Sequence, residues 1–563
     1  MRVAGMSVNA MSAAERAQSL FARAAEAEQT GAWAEVDRCY REASALVVPN
    51  ANLVGRHAIA VFNAGDTARA ATMTRRALRL TPGDAGLELQ LGKIYFDQKR
   101  IAEARDAFRR AFALDPDNAE ILRRLAHTLQ NDAETRGEAE QLLLRAVELA
   151  PADLLGWLQL GAIYSNEDSR FDEAERVFAR ALEISPDAPS ALHNYGLLKR
   201  FKGELDLALT YLTRACEVRP ADPGFAFSLA TCYLFMEDLE NALKWCLRAA
   251  ELDSGYNPAK VYIAFTLFHM GRYAEAWQQY ETRLQLKELQ DIKFHRPRWD
   301  GSPLNGETLL LMAEQGMGDN LQFVRYAECA AQRGGKVIVI THHALHRLFQ
   351  SLKGVTAVVT GVPEPKYFHR YSPLMSLPLV FGTEPADIPQ NVPYLAPPAD
   401  LAAQWGERIG GHAGPRIGLS WRGNPRHVND RFRSSNAADM AALAAVRPDA
   451  RFYSLHTDLT EAERAILQAA GVADLGHDFT DFADTAAAMQ HLDLVITVDT
   501  SVCHLAGALG RPVWTMLARG PDFRWGIRGE TTPWYPTMRL YRQHKLGVWA
   551  DVYARMKTDL AAL

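Results

Sequence analysis

Residues 157–186 read WLQLGAIYSNEDSRFDEAERVFARALEISP, and this stretch decides the first half of the fold. Trp157, Leu160, Gly161 and Tyr164 form W-x2-L-G-x2-Y, followed by Ala174, Phe178, Ala181 and Pro186. One register earlier stand Leu91, Gly92, Tyr95, Ala104, Phe108, Ala111 and Pro116. Working outward, Pro82, Pro116, Pro151, Pro186 and Pro220 recur at steps of 34, 35, 35 and 34 residues. Each closes a helical run: RALRLTP, RAFALDP, RAVELAP, RALEISP and RACEVRP. Small residues let two antiparallel helices approach, large apolar ones at helical intervals fill the groove, and proline ends the second helix. Gly31, Gly65, Gly203 and Gly271 fall where the turns between paired helices belong. The pattern predicts seven or eight units over residues 14–285, behind a flexible N-terminus of residues 1–13. Such a stack offers a binding groove rather than a catalyst and folds on nearest-neighbour contacts, so residues 1–285 are expected to fold alone.

Near residue 286 the period breaks. LKELQDIKFHRPRWDGSPLNGE is polar and proline-bearing, and residues 286–304 read as a linker. Short apolar runs then alternate with helical stretches: Thr308–Ala313, Lys336–Thr341, Thr356–Thr360, Arg416–Trp421, Arg451–Leu455, Leu494–Val498, Pro512–Leu517 and Met538–Tyr541. Alternating β and α elements imply parallel sheets covered by helices. The expected class is α/β with two Rossmann-like halves, residues 305–395 and 396–563, divided at the polar break Pro389–Pro398. A nucleotide ligand belongs in the cleft between such halves.

Composition narrows the function. The 563 residues carry a net charge of −5 and no long basic run, which argues against nucleic acid as a partner. Six cysteines show neither C-x-x-C nor zinc spacing and read as thiols of a reducing compartment. MRVAGMSVNAMSAAERAQ has no apolar signal core, and no run reaches the roughly 18 apolar residues of a membrane span, so a cytoplasmic protein without a membrane partner is expected.

Three motifs carry candidate chemistry. AEQGMGDNLQFVRY (313–326) runs from a strand through Gly316 and Gly318 into a helix at Asp319. Glycines admit close backbone approach and a helix start offers free N–H groups, while Asp319 also suits a helix cap. SWRGNPRHVNDRFRSS (420–435) sets Arg422, Arg426, Arg431 and Arg433 among Asn424, His427 and Asn429, a donor-rich loop suited to a diphosphate. DLVITVDTSVCHLAGALGRPVW (493–514) ends a strand at Asp499, then opens a helix with Thr500, Ser501 and His504. That places a carboxylate, two hydroxyls and free amides at the binding edge of an α/β sheet. Asp115-Pro116-Asp117 reads D-x-D but lies at a repeat boundary, where acidic residues beside proline start a helix.

The recurring signature resembles the tetratricopeptide family. The three later motifs, in this order over residues 305–545, resemble the heptosyltransferase-like family of two-Rossmann, B-type glycosyltransferases. The EQG-x-GD and GNP-x-H-x-ND variants look more like the branch fused to tetratricopeptide repeats; Arg433-Ser434 stands where the lipopolysaccharide enzymes commonly have Lys-Trp. The layout is similar to protein O-GlcNAc transferase and to bacterial flagellin glycosyltransferases. The resemblance implies a metal-independent protein O-glycosyltransferase without a cofactor. Its donor is a nucleotide sugar, with a CMP-linked nonulosonic acid such as pseudaminic acid a candidate. Its acceptor is a protein, flagellin being the candidate, captured by the repeats. Asp319 is the first candidate base, then Glu314 or His427. Gly316, Gly318, Arg422, Asn424, Arg433, Asp499, Thr500, Ser501 and His504 are the candidate donor contacts, and no metal ligands are expected. A silent scaffold that binds nucleotide sugar, or a transferase acting on a glycan or lipid-linked acceptor, are the alternatives.

Overall fold

The computed structural model describes residues 12–285, 296–425, 427 and 429–563. The expected flexible N-terminus, most of the expected linker, and Arg426 lie outside the described residues. The chain divides into two compact units, Met1–Leu198 and Lys199–Leu563.

In the first unit, paired helices follow the sequence register: Ala85–Asp97 with Ile101–Leu114, and Leu154–Tyr164 with Phe171–Ile184. The recurring pairing of glycine and phenylalanine has a steric cause. A Cβ on Gly92 would lie 2.4 Å from the Phe108 ring, and one on Gly161 would lie 2.4 Å from Phe178. The glycine of the first helix is thus the socket for the phenylalanine of the second. Each next unit starts two residues past the proline, where Asp84, Asn118 and Asp153 accept backbone N–H groups of their own helices. The turn glycines Gly31 and Gly65 have left-handed φ of 70° and 93°. The D-x-D decoy is a boundary as expected: Asp115 accepts from Asn118 and Asp117 pairs with Arg145.

The second unit begins inside helix Pro189–Phe201 and takes in the remaining repeats together with the whole α/β region. The strands are β1 (Thr308–Met312), β2 (Lys336–Ile340), β3 (Ala357–Val359), β4 (Arg370–Pro373), β5 (Arg416–Ser420), β6 (Arg451–Ser454), β7 (Ala473–Asp474), β8 (Leu494–Val498), β9 (Val513–Leu517) and β10 (Met538–Arg542). They form two sheets, ordered β3-β2-β1-β4 and β10-β9-β8-β5-β6-β7, with every pairing parallel. β1, β8 and β9 are buried along their whole length, as expected of strands covered on both faces. Two strands escaped the sequence reading. β4 is polar and ends in proline at the sheet edge, and β7 has only two residues.

The boundary expected at residue 285 is corrected. One continuous core joins Ile263, Leu267, Phe268, Trp277 and Tyr280 of the last repeat to Leu309, Leu321 and Phe323 of the first sheet's layer and to Phe523 of the second half. Phe268 lies 4.4 Å from Trp277 and 4.5 Å from Phe523 between ring centroids, and the Trp277 indole donates to the Thr383 carbonyl at 2.9 Å. The final repeats are therefore part of the α/β core rather than a detachable end of the array. All six cysteines are free and five are buried. Among the described residues, no helix is long and apolar enough to cross a membrane.

Candidate functional site

The site forms where the two halves present helix starts to each other. β1 leads into helix Met317–Phe323 and β8 leads into helix Ser501–Ala508. The two helices pack closely: a Cβ on Gly318 would lie 2.8 Å from the His504 ring and 3.6 Å from Ser501 Cα. Gly318 is thus a packing glycine between halves rather than a phosphate cradle. Gly316 is also reassigned, because its N–H donates to Asp319 at 2.9 Å and is already spent.

Asp319 sits at this junction. Beyond capping its helix it pairs with Arg524, whose guanidinium also donates to Gln322 at 2.5 Å and Asp522 at 2.7 Å. Burial raises the Asp319 pKa, with Arg524 opposing and Asp522 reinforcing the rise. Burial alone would lower the Arg524 pKa, but Asp522 and Asp319 raise it.

Asp499 stands at the carboxyl end of β8. Its side chain is half-buried, and its pKa is raised to about 6 by burial and by Asp522, with Arg433 opposing. Arg433 donates to the Asp499 carbonyl at 3.2 Å and is steadied by Asp430 at 3.1 Å. Gly423 makes room for that guanidinium, since a Cβ there would lie 2.6 Å from it. The Trp525 indole N–H lies near enough to lower the Asp499 pKa, yet it is buried and completes no hydrogen bond of good geometry. Thr500 caps helix Ser501–Ala508 by its backbone alone, leaving its hydroxyl 3.5 Å from that of Thr497. Asp499, Arg433, Thr500 and Ser501 thus lie together at the carboxyl end of β8.

Three further candidates are corrected. Glu314 is buried and holds Arg283 through two contacts of 3.0 and 2.8 Å while accepting the Met375 N–H at 2.9 Å. A carboxylate so fully engaged cannot reach an acceptor hydroxyl. Arg422 is spent on Glu463 at 2.9 and 3.1 Å and on Asp458 at 3.1 Å. Burial would raise the Glu463 pKa, yet Arg422 and its helix cap hold it at about 2, so this pair braces the loop instead of binding donor. His504 is buried, bonded to Tyr535 at 3.0 Å and stacked on Trp525 at 5.2 Å, and burial holds its pKa well below the usual value. It supports the site from behind. Asn424 and His427 lie exposed on the same loop, joined by the His427 N–H donating to the Asn424 carbonyl at 2.9 Å.

The sequence reading missed Asp522, Arg524 and Trp525, which follow β9 in PDFRW (521–525). The signal for them is the one that β5 and β8 also carry, polar residues after the carboxyl end of a buried strand. It also missed Arg283, the buried partner of Glu314.

With this geometry in view, residues 465–545 match the profile of Glycosyltransferase family 9 (heptosyltransferase). The match contains Asp499 and Arg524. Residues 92–132 match a TPR repeat profile and residues 195–257 a Tetratricopeptide repeat profile. The chain joins tetratricopeptide repeats to a glycosyltransferase domain. Protein FlbA of Caulobacter vibrioides is similar at 27% identity over 543 residues, covering 89% of this chain and 83% of that protein. Among solved structures, YrrB, described as a TPR protein with an unusual peptide-binding site, is 27% identical over 30% of this chain and 87% of its own, with a TM-score of 0.27. TTC0263, a thermophilic TPR protein of Thermus thermophilus, is 25% identical over 33% of this chain and 99% of its own, with a TM-score of 0.30.

Two stability predictions arise from this site. Replacing Glu314 by alanine leaves the fully buried Arg283 with the Glu281 carboxylate at 2.7 Å but takes away its second counter-charge and the acceptor of the Met375 N–H, and should cost about 3 kcal/mol in urea unfolding. A loss under about 1 kcal/mol would mean the pair is not sequestered in solution. Asp499→Asn should do the opposite. An acid whose pKa is raised to about 6 by folding stabilises the fold below its unfolded value, and that contribution is lost as pH rises through 6. At pH 7.5 the asparagine variant should therefore be more stable by about 1–2 kcal/mol after solvent screening, a gain that shrinks by pH 4.5. Equal stability of the two proteins at both pH values would remove the burial argument.

Proposed function

We propose that this chain is a protein O-glycosyltransferase that moves a sugar from a nucleotide-sugar donor to a Ser or Thr hydroxyl of a protein bound by the repeats. The observation that carries the reading is the meeting of Asp319–Arg524 with Asp499 and Arg433 where two Rossmann-like halves face each other. Asp499, Thr500 and Ser501 receive donor hydroxyls and phosphate oxygens, with Arg433 neutralising the leaving nucleotide. Asp319 takes the acceptor proton, and its raised pKa makes it a stronger base than an exposed aspartate. The acceptor oxygen bonds to the anomeric carbon as the bond to the nucleotide phosphate breaks. A nonulosonic acid such as pseudaminic acid is the proposed sugar, CMP its carrier, flagellin the proposed acceptor and the cytoplasm the proposed compartment. The test is the intact mass of flagellin co-expressed with this chain and a nonulosonic-acid pathway. A mass increase by whole sugar residues is expected, and an unmodified flagellin alongside a competent pathway sinks the acceptor assignment.

Transfer is proposed to be metal-independent. Asp499, Cys503 and His504 each place a ligand atom within 4.8 Å of the others. The chemistry of the three is unfavourable for a cation. Burial raises the Cys503 pKa well above the usual thiol value and the thiol donates to the Thr500 carbonyl at 2.9 Å, while His504 Nδ1 is taken by Tyr535. EDTA should leave turnover within about twofold, whereas loss restored by Mn²⁺ would make this triad a metal site.

A further inference from the structure

The carboxyl ends of β9 and β10 open onto a second cavity of about 370 Å³, lined among others by Glu237, Arg519, Gly529, Arg542, His544 and Arg555. This volume suits a small ligand. The cavity is distinct from the Asp499 cleft. The segment 521–529 separates them, with Asp522 and Arg524 engaged on the Asp319 side and Ile527 and Gly529 lining the cavity.

Its charges are unevenly matched. Glu530 is paired with Arg539 at 3.1 Å and Arg555 with Asp551 at 3.1 Å. Arg542 has no such partner: it donates to the carbonyls of Gly529 at 2.7 Å, Gly526 at 2.9 Å, Trp525 at 2.5 Å and Arg528 at 3.2 Å. No carboxylate lies within ion-pair distance of it among the described residues. Burial pulls its pKa down to about 10, with only Glu237 opposing from a distance. Across the cavity, Arg519 is spent on the His544 carbonyl at 3.2 Å, while its Nε is buried without a hydrogen-bond partner, 3.6 Å from a Glu237 oxygen. A guanidinium carries five N–H donors, so Arg542 also retains one beyond its four carbonyl contacts.

We propose that this cavity binds a phosphate-type oxyanion between Arg519 and Arg542, outside the donor cleft. A tetrahedral anion can accept from guanidinium groups arriving from different directions, and it supplies the counter-charge that Arg542 lacks. Arg542 holds the back of the segment whose front carries Asp522 and Arg524, so an anion here braces the catalytic face from behind. Glu237 competes with the anion for Arg519.

The test is calorimetric titration of the full chain with inorganic phosphate and, separately, with CMP. Phosphate should bind saturably to the parent, at least tenfold more weakly to Arg519→Gln, and severalfold more tightly to Glu237→Gln. Arg433→Ala weakens only the donor cleft and should leave in place the phosphate binding that Arg519→Gln removes. If CMP is also weakened by Arg519→Gln, the oxyanion is one carried on a nucleotide; if only inorganic phosphate is weakened, it is the free ion, and either result supports the site. No saturable phosphate binding to the parent, no gain with Glu237→Gln, or a loss with Arg433→Ala in place of Arg519→Gln overturns it.

Discussion

A fragment of residues 286–563 should fail to fold, whereas residues 187–563 should give a cooperatively folded protein. The first cut removes Ile263, Leu267, Phe268, Trp277 and Tyr280 from a core they share with Leu309, Phe323 and Phe523. It also removes Arg283, leaving Glu314 buried and unpaired. Losing one large buried aromatic costs about 3–5 kcal/mol, so several together exceed the roughly 5–15 kcal/mol that holds a domain folded. The second cut leaves helix Pro189–Phe201 whole and falls close to the division between compact units. Size-exclusion profiles, far-UV circular dichroism and thermal melts of the two fragments check this. A monodisperse 286–563 fragment with a sharp melt would mean that the repeat-facing aromatics contribute little to the α/β core. The corollary concerns 1–285, which ends with the same aromatics exposed and should aggregate.

The repeat array was legible because its constraints are local. Gly92 must admit Phe108 and Gly161 must admit Phe178, so the pairing of residue types is printed in one sequence at fixed spacing. The parallel strands were legible for the same reason: β1, β8 and β9 are apolar apart from one strand-favouring threonine each. The domain boundary was not, because nothing in YAEAWQQY (273–280) distinguishes a tryptophan that packs on a neighbouring repeat from one whose indole bonds to Thr383. Site residues split along the same line. The positions of Asp499 and Arg433 beside one another were legible because each follows a strand directly or closes the loop after it. Glu314 and Arg422 were misread because their partners, Arg283 and Glu463, lie 31 and 41 residues away and no local pattern announces them. Gly318 was read as a ligand-approach glycine, and only the juxtaposition with His504 shows what its missing Cβ accommodates. Long-range pairing, not residue type, separates a binding arginine from a bracing one.

Replacing Asp319 by asparagine should lower the single-turnover rate by about 10²–10⁴ and leave donor affinity within about threefold. The expectation follows from where the side chain sits. Asp319 belongs to the first half, whereas the proposed donor contacts Asp499, Thr500 and Ser501 belong to the second. Loss of its charge therefore touches the acceptor step and spares donor capture. Arg524 complicates the test, because the substitution also takes one carboxylate from a buried guanidinium. Asp522 remains to that guanidinium at 2.7 Å, and asparagine retains an oxygen able to accept the Gly316 N–H, so the local fold should persist with a modest fall in melting temperature. The pH profile separates chemistry from scaffolding. With Asp319 as base, parent turnover falls as pH drops through its raised pKa, and the asparagine variant loses that limb. Were the pair purely structural, the variant would melt earlier while its folded fraction turned over at the parent rate, and the base would have to be sought at His427. Calorimetry with the sugar nucleotide, a thermal melt and single-turnover glycosylation across pH 5–8 read the three quantities on one preparation.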